Sequence, residues 1–207
     1  MPYLIYPGVY AYTEDYNTEV VVNYQLSYLV DSALLSIDRV LGEYPQNHSY
    51  LNKIQYYRFY VDHLMMCLGR INDYLVPKGN ATDFINLNRN LYNFTDDTFP
   101  IISEKKPRNL VEHLSERNNI TIKNYGSVGG FNVLFLDSDK ELKDSVTNKK
   151  EYYPYTLDLE NNSIVFSDNR NRSDGSIENY SIDLLLLRKE LNELKQRIAV
   201  LESHHKS

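Results

Sequence analysis

At 207 residues, with 42% hydrophobic and 24% charged side chains, the chain can bury a core without metals or disulfides, and it is neither disordered nor collagen-like. A net charge of -6 and the lack of a Lys/Arg block argue against an architectural binder of duplex DNA. Cys67 is the single cysteine, so no intramolecular disulfide can form, which fits a reducing, cytoplasmic setting.

The first residues, Met1 to Gly8, carry no basic region, and their apolar run is too short for a signal peptide. Elsewhere, charges interrupt the apolar runs well before the roughly 18–20 residues that a membrane span needs, so no membrane partner is expected. Asn-x-Ser/Thr sequons at Asn47, Asn80, Asn93 and Asn119 are chemically silent without secretion. The 19 tyrosines, in a chain without tryptophan, suit half-buried helix faces and packing.

The first element predicted is a helix from Thr18 or Glu19 to Leu41. Thr18 suits an N-cap, Gly42 suits a stop, and Val22, Leu26, Val30, Ala33, Ile37 and Val40 form one apolar stripe. A second helix spans about Ser49 to Val76, with Ile54, Tyr57, Val61, Leu64, Leu68, Ile71 and Leu75 alternating three and four apart. The short connection between them, with Pro45, predicts an antiparallel pair, the first half of a bundle. A shorter helix from Thr82 to Phe94 is expected to turn Phe84, Leu87 and Leu91 inward. Pro107 then opens a helix from Arg108 to about Asn118, in the first-turn position that proline favours.

After Asn119 the pattern changes to short β-branched or aromatic runs: Ile120 to Ile122, Phe131 to Leu136, Thr156 to Leu159 and Ile164 to Phe166. Asn161-Asn162 reads as a hairpin turn, and the insertion as a small antiparallel sheet. The last predicted element is a helix from about Ile177 to Leu201. Ile177, Tyr180, Leu184, Leu187, Leu191, Leu194, Ile198 and Leu201 form a heptad stripe in it. That stripe fits a two-stranded coiled coil with a second copy, or a last bundle helix packed on its own chain. Leu185 and Leu186 widen the apolar surface beyond one seam and tip the reading toward a homodimer. The expected class is therefore mainly α: an antiparallel helical bundle over 1–119, a small β insertion over 120–172, and a long heptad-patterned helix within 173–207.

One stretch carries a pattern with chemical meaning: Pro107-Arg108-Asn109-Leu110-Val111-Glu112-His113-Leu114-Ser115-Glu116-Arg117. On a helix, Asn109 and His113 lie about 40° apart on one face, and the long Arg108 side chain can swing to the same side. Leu110, Val111 and Leu114 point the other way, toward a core. A guanidinium, an amide and an imidazole together are the groups that bind a phosphate and move a proton near neutral pH. The alternative is a solvated helix face laced by Glu112, Glu116 and Arg117, with His113 a surface histidine.

Arg108, Asn109 directly after it, and His113 beyond four intervening positions resemble the motif of the HEPN superfamily, a helical nucleotide-binding fold with many ribonuclease members. The resemblance covers roughly residues 18–118, and the Glu112-His113-x-x-Glu116-Arg117 continuation is similar to that of bacterial members. It implies a metal-independent endoribonuclease of toxin or host-defence type, with RNA as substrate, no cofactor, and an antitoxin among the partners. In the implied mechanism a ribose 2′-hydroxyl attacks the neighbouring phosphate. His113 moves the proton, Arg108 neutralises charge on the phosphorane oxygens, and Asn109 orients phosphate or imidazole. Two copies of the motif facing each other across a dimer complete such sites. The β insertion and the heptad helix lie outside the family's core pattern, which keeps open a non-catalytic interaction protein or a nucleotide-binding regulator.

Other candidates do not fit a site. Asp137-x-Asp139-x-Glu141 starts like a calcium loop, but Leu142 stands where the turn glycine belongs. Gly126 to Gly130 precedes a strand and lacks the Lys-Ser/Thr of a phosphate loop. His48 and His63 have no ligand partners nearby in sequence, His204-His205 sit on the tail, and Cys67 reads as a core residue. No metal site is expected.

Overall fold

A computed structural model describes residues 18–44, 50–77, 82–106, 109, 131–134, 155–168 and 178–204. Four helices and a small sheet make up these residues: α1 (Thr18–Leu41), α2 (Tyr50–Leu75), α3 (Thr82–Leu91), β1 (Phe131–Leu134), β2 (Tyr155–Asp158), β3 (Ser163–Asp168), β4 (Glu178–Asp183) and α4 (Leu184–His204). The chain is mainly helical, and no described helix is long and apolar enough to cross a membrane.

α1 is the centre of the bundle. Its stripe of Val22, Leu26, Val30, Ala33, Ile37 and Val40 is buried, as the spacing predicts. α2 runs antiparallel to it and buries Tyr57, Val61, Leu64, Leu68, Ile71 and Leu75. Polar pairs mark the register of the two helices: Tyr74 donates to Gln25, and Ser36 Oγ lies 2.8 Å from His63 Nδ1. α1 stops at Gly42, whose N–H bonds the Asp38 carbonyl at 2.9 Å. A Cβ at Gly42 would sit 2.7 Å from that same oxygen, so glycine is required at this stop.

α3 differs from the expected helix. Phe84 and Leu87 are 38% and 54% exposed and Leu91 is half-buried, whereas Ile85, Asn88 and Tyr92 are buried. The inward face is hidden from an apolar count because it includes an asparagine and a tyrosine with polar partners. Asn88 Nδ2 donates to the Tyr74 carbonyl at 3.1 Å, and the Tyr92 hydroxyl donates to Asn23 Oδ1 at 2.8 Å. The helix also ends earlier than expected, in a Schellman turn. Asn93 takes φ 47°, its N–H bonds the Asn90 carbonyl, and Phe94 N–H bonds the Arg89 carbonyl at 2.7 Å.

The sheet has the order β1-β2-β3-β4. β2 and β3 form the expected antiparallel hairpin, with Asp158 paired to Ser163 across the turn that holds Asn162 at φ 50°, and β4 joins them as a further antiparallel strand. β1 corrects the all-antiparallel expectation, because it pairs parallel to β2 from Phe131↔Tyr155 to Leu134↔Asp158. Alternating apolar residues reveal a buried face but not the direction of a neighbour. Val133, Leu157, Ile164 and Ile182 form one buried row across the strands. Tyr155, Phe166 and Tyr180 stack beside it. Tyr155 donates to Asp62, which Arg58 approaches at 3.5 Å, and so ties the sheet to α2.

The C-terminal helix corrects two expectations. Residues 178–183 form β4, not helix: exposed Ser181 and Asp183 alternate with half-buried Tyr180 and buried Ile182, the two-residue period of a strand. Asp183 then caps α4, its Oδ1 accepting from Leu185 N–H at 2.8 Å and Leu186 N–H at 2.9 Å. The second correction concerns pairing. Leu184, Leu187, Leu191, Leu194 and Ile198 are all buried within one chain, packed on α1, so the seam is not available for a coiled coil with a second copy. Arg188–Asp38 at 2.9 Å and Lys195–Asp31 at 2.6 Å flank the contact and show that α4 runs antiparallel to α1. Both pairs are about half exposed and contribute little energy, so the leucines carry the contact. Leu185 and Leu186, which widened the apparent seam, stay 52% and 43% exposed.

Leu191→Ala or Leu194→Ala should therefore cost about 2–5 kcal/mol of unfolding free energy in urea titrations. Leu191→Lys should prevent folding. A Leu191→Lys chain that remains a well-folded monomer would contradict this packing.

Candidate functional site

Of the three residues of the Arg108-Asn109-x-x-x-His113 pattern, the described residues include one. Asn109 is half-buried in a helical turn, its N–H donating to the Lys105 carbonyl at 3.0 Å. Arg108 and His113 lie outside the described residues, as do the remainder of that predicted helix and the predicted strand at 120–122. The Gly126–Gly130 and Asp137–Glu141 stretches, His48 and His205 lie outside them too.

Residues 93–106, which lead up to Asn109, are tied to the neighbouring elements. After the turn at Asn93, Phe94 and Phe99 stack face to face, with ring centroids 4.6 Å apart and planes within 2°. Arg89 covers Phe94 at 5.2 Å, and Arg197 of α4 covers Phe99 at 4.8 Å, a cation on each ring. Both guanidiniums also cap backbone carbonyls: Arg89 reaches Leu75 O at 3.2 Å, and Arg197 reaches Tyr92 O at 3.2 Å and also Asn93 O. The end of α2 is thereby fastened to α3, and the end of α3 to α4.

Two short turns follow. Phe99 N–H bonds the Thr95 carbonyl, Thr95 Oγ1 accepts from Thr98 N–H, and Ser103 N–H bonds the Phe99 carbonyl at 2.9 Å. The N–H groups of Ile101 and Ile102 lie in the first part of the second turn, where no intrahelical acceptor exists. Glu190 of α4 supplies one. Its carboxylate accepts from Ile101 N–H at 3.1 and 3.2 Å and from Ile102 N–H at 3.0 Å. Glu104 then accepts from Lys106 N–H at 2.9 Å, and Lys105 Nζ donates to the Pro77 carbonyl at 2.7 Å. Lys106 lies 5.7 Å from the Tyr180 ring. Residues 101–106 are thus held by the end of α2, by β4 and by α4 together.

Other reactive groups are spent on structure. Cys67 is buried, and burial pushes its thiol up to about 11, so it is not a thiolate at neutral pH. Burial and the Asp62 carboxylate raise the Tyr155 hydroxyl far above the usual tyrosine range. The Ser36 hydroxyl lies 2.9 Å from the Ser32 carbonyl and 2.8 Å from His63 Nδ1, a polar contact between α1 and α2. Tyr44, Tyr56, Tyr57 and Tyr60 pack edge to face as a cluster beside α1, the packing role expected of the tyrosines. No group of three or more metal-ligating side chains occurs among the described residues.

Sequence reasoning missed Glu190, Arg89 and Arg197. Nothing in the spacing marks Glu190, which looks like any charge between leucines of the stripe. Asn93 was legible as a helix stop, and Asp183 as an N-cap ahead of four leucines. No family model, curated protein or solved structure matches the chain.

Burial raises the pKa of Glu190 against the pull of the Ile102 and Ile101 N–H groups, and the nearby Glu193 charge adds to the rise. The native carboxyl therefore holds its proton more tightly than the unfolded chain does. Its contribution to stability is fully present below the ordinary value of 4.5 and is lost as pH rises through the raised value. Glu190→Gln removes this dependence. Wild-type stability relative to Glu190→Gln, from paired urea titrations, should fall as pH rises above about 4.5. A pH-independent difference would contradict the shift.

Proposed function

We propose that this protein is a HEPN-like, metal-independent endoribonuclease of toxin or host-defence type, with Arg108, Asn109 and His113 as its catalytic residues. The reading is supported by the helical turn at Asn109, whose N–H bonds the Lys105 carbonyl, in a mainly helical chain whose first two long helices pack antiparallel. In the mechanism, His113 withdraws the proton of a ribose 2′-hydroxyl or protonates the leaving oxygen. Arg108 neutralises charge gathering on the phosphorane, and Asn109 orients phosphate or imidazole. Two copies of the motif would complete the site. Because α4 packs on α1, a homodimer would have to form through another face. RNA is the substrate class, an antitoxin is the regulatory partner this reading implies, and the setting is cytoplasmic.

A second reading, a non-catalytic interaction or nucleotide-binding protein, is favoured by one observation. Tyr28 and Leu35 on α1, and Phe59 and Met66 on α2, are large apolar side chains left exposed.

Purified protein incubated with a panel of RNAs separates the two. The enzyme reading predicts cleavage that persists in EDTA and leaves cyclic phosphate ends. It also predicts an ionisation near that of imidazole, about 6.5 in the absence of perturbation. Arg108→Ala and His113→Ala should abolish cleavage. On this reading both side chains face substrate, not the core, so each change should shift stability by only about 0.5 kcal/mol. Intact RNA in every case, with dimeric protein freed of any antitoxin, would favour the interaction protein.

A further inference from the structure

The first half of α2 carries a row of aromatic rings that runs from the core to the surface. Tyr57 is buried, Tyr56, Tyr60 and His63 are half-buried, and Phe59 is 63% exposed. Ring contacts link them one to the next: Tyr56–Tyr60 at 4.8 Å, Tyr60–Phe59 at 5.1 Å, and Phe59–His63 at 6.2 Å with planes within 4°. The row is held from behind. Tyr44 and Tyr57 pack edge to face on Tyr56, and His63 Nδ1 meets Ser36 Oγ at 2.8 Å. Core packing accounts for the inner rings, whereas the outermost one stands mostly in solvent.

Cations accompany the row. Lys53 lies over the Tyr44 ring at 5.3 Å, and Arg58 directly precedes Phe59. The Tyr56 hydroxyl donates to the Arg39 carbonyl at 3.4 Å and has the Arg39 side chain beside it. From Tyr44 to Val61 the sequence holds Lys53 and Arg58 but no acidic residue, although the whole chain has a net charge of -6. The first acid beyond, Asp62, accepts from Tyr155 and pairs with Arg58. Rings fixed by their neighbours beside local positive charge suit a strand with unpaired bases and an anionic backbone. Bases stack on the rings, and phosphates meet the cations. A duplex keeps its base faces inside its own stack and could use the cations alone. We propose that Tyr56, Phe59, Tyr60 and His63 form a stacking platform for single-stranded RNA, with Arg39 and Lys53 as its phosphate contacts. The choice of RNA as the strand rests on the endoribonuclease reading, while the geometry of the platform does not.

The test follows the fluorescence anisotropy of a labelled 2′-O-methyl oligouridylate, which has no free 2′-hydroxyl to react, with the full chain. The proposal predicts that the single strand binds and that pairing it with oligoadenylate weakens binding. Phe59→Ala should weaken it roughly five- to hundredfold, the worth of one stacked base, while Phe59→Tyr keeps the ring and the affinity. Phe59 is mostly exposed, so either change should leave the thermal unfolding transition in place. Replacing Arg39 and Lys53 together with Gln should reduce the slope of log affinity against log salt by about 1.4, at about 0.7 for each phosphate contact. Equal binding of strand and duplex, or Phe59→Ala protein that binds as tightly as wild type, would overturn the platform. An unchanged salt slope would overturn the phosphate contacts. No binding at low salt would overturn the proposal and leave the exposed rings to a protein partner. Cleavage is read separately, on unmodified RNA. Strand binding through Phe59 without cleavage supports the platform and counts against the enzyme reading, whereas cleavage with binding indifferent to Phe59 does the reverse.

Discussion

The row Leu184, Leu187, Leu191, Leu194 and Ile198 lies against α1, and that contact decides how the rest of the chain can be arranged. It brings the C-terminal helix back onto the first one and makes α1 the shared partner of α2 and α4. The five aliphatic side chains are removed from water within a single chain, each worth roughly 1.5–3 kcal/mol of transfer free energy. A helix committed in this way cannot also offer the same seam to a second copy. The ion pairs at Asp31–Lys195 and Asp38–Arg188 set the register of a contact whose energy comes from the leucines.

The hold on residues 93–106 follows from that packing. With α4 in place, Arg197 reaches the carbonyls that end α3 and covers Phe99, and Glu190 meets the amides of Ile101 and Ile102. Neither interaction could form if α4 left the bundle to pair with another chain. The sheet joins the same assembly from the other side, through β4, which runs into α4 at Asp183, and through Tyr155 on Asp62 of α2. One helix therefore closes the core and also presents the groups that hold residues 99–106.

Much of the bundle was legible in the sequence because its signals were local. α1 and α2 showed themselves through apolar stripes and through Gly42 and Pro77, and the structure keeps their bounds to within a residue. α3 misled because its buried face carries Asn88 and Tyr92, whose cost is met by partners on other elements. The stripe at Ile177 and Tyr180 also fitted a helix, and only the cap at Asp183 and the two-residue alternation before it argue for a strand. Direction was beyond reach for β1, since the alternation of Phe131 to Leu134 is the same beside a parallel or an antiparallel neighbour. The candidate motif of Arg108, Asn109 and His113 was legible as a pattern in the sequence, whereas Glu190 acquires meaning only when it meets Ile101 and Ile102.

Spin labels at two exposed positions, Tyr28 on α1 and Gln196 on α4, test most directly whether α4 belongs to its own chain's core. The distance distribution is measured first on doubly labelled protein and again after dilution with a large excess of unlabelled protein. Intramolecular packing predicts one short distance that survives dilution unchanged. A short distance that vanishes on dilution would mean that α4 packs on another copy, and the hold of Arg197 and Glu190 on residues 92–102 would lose its basis within one chain.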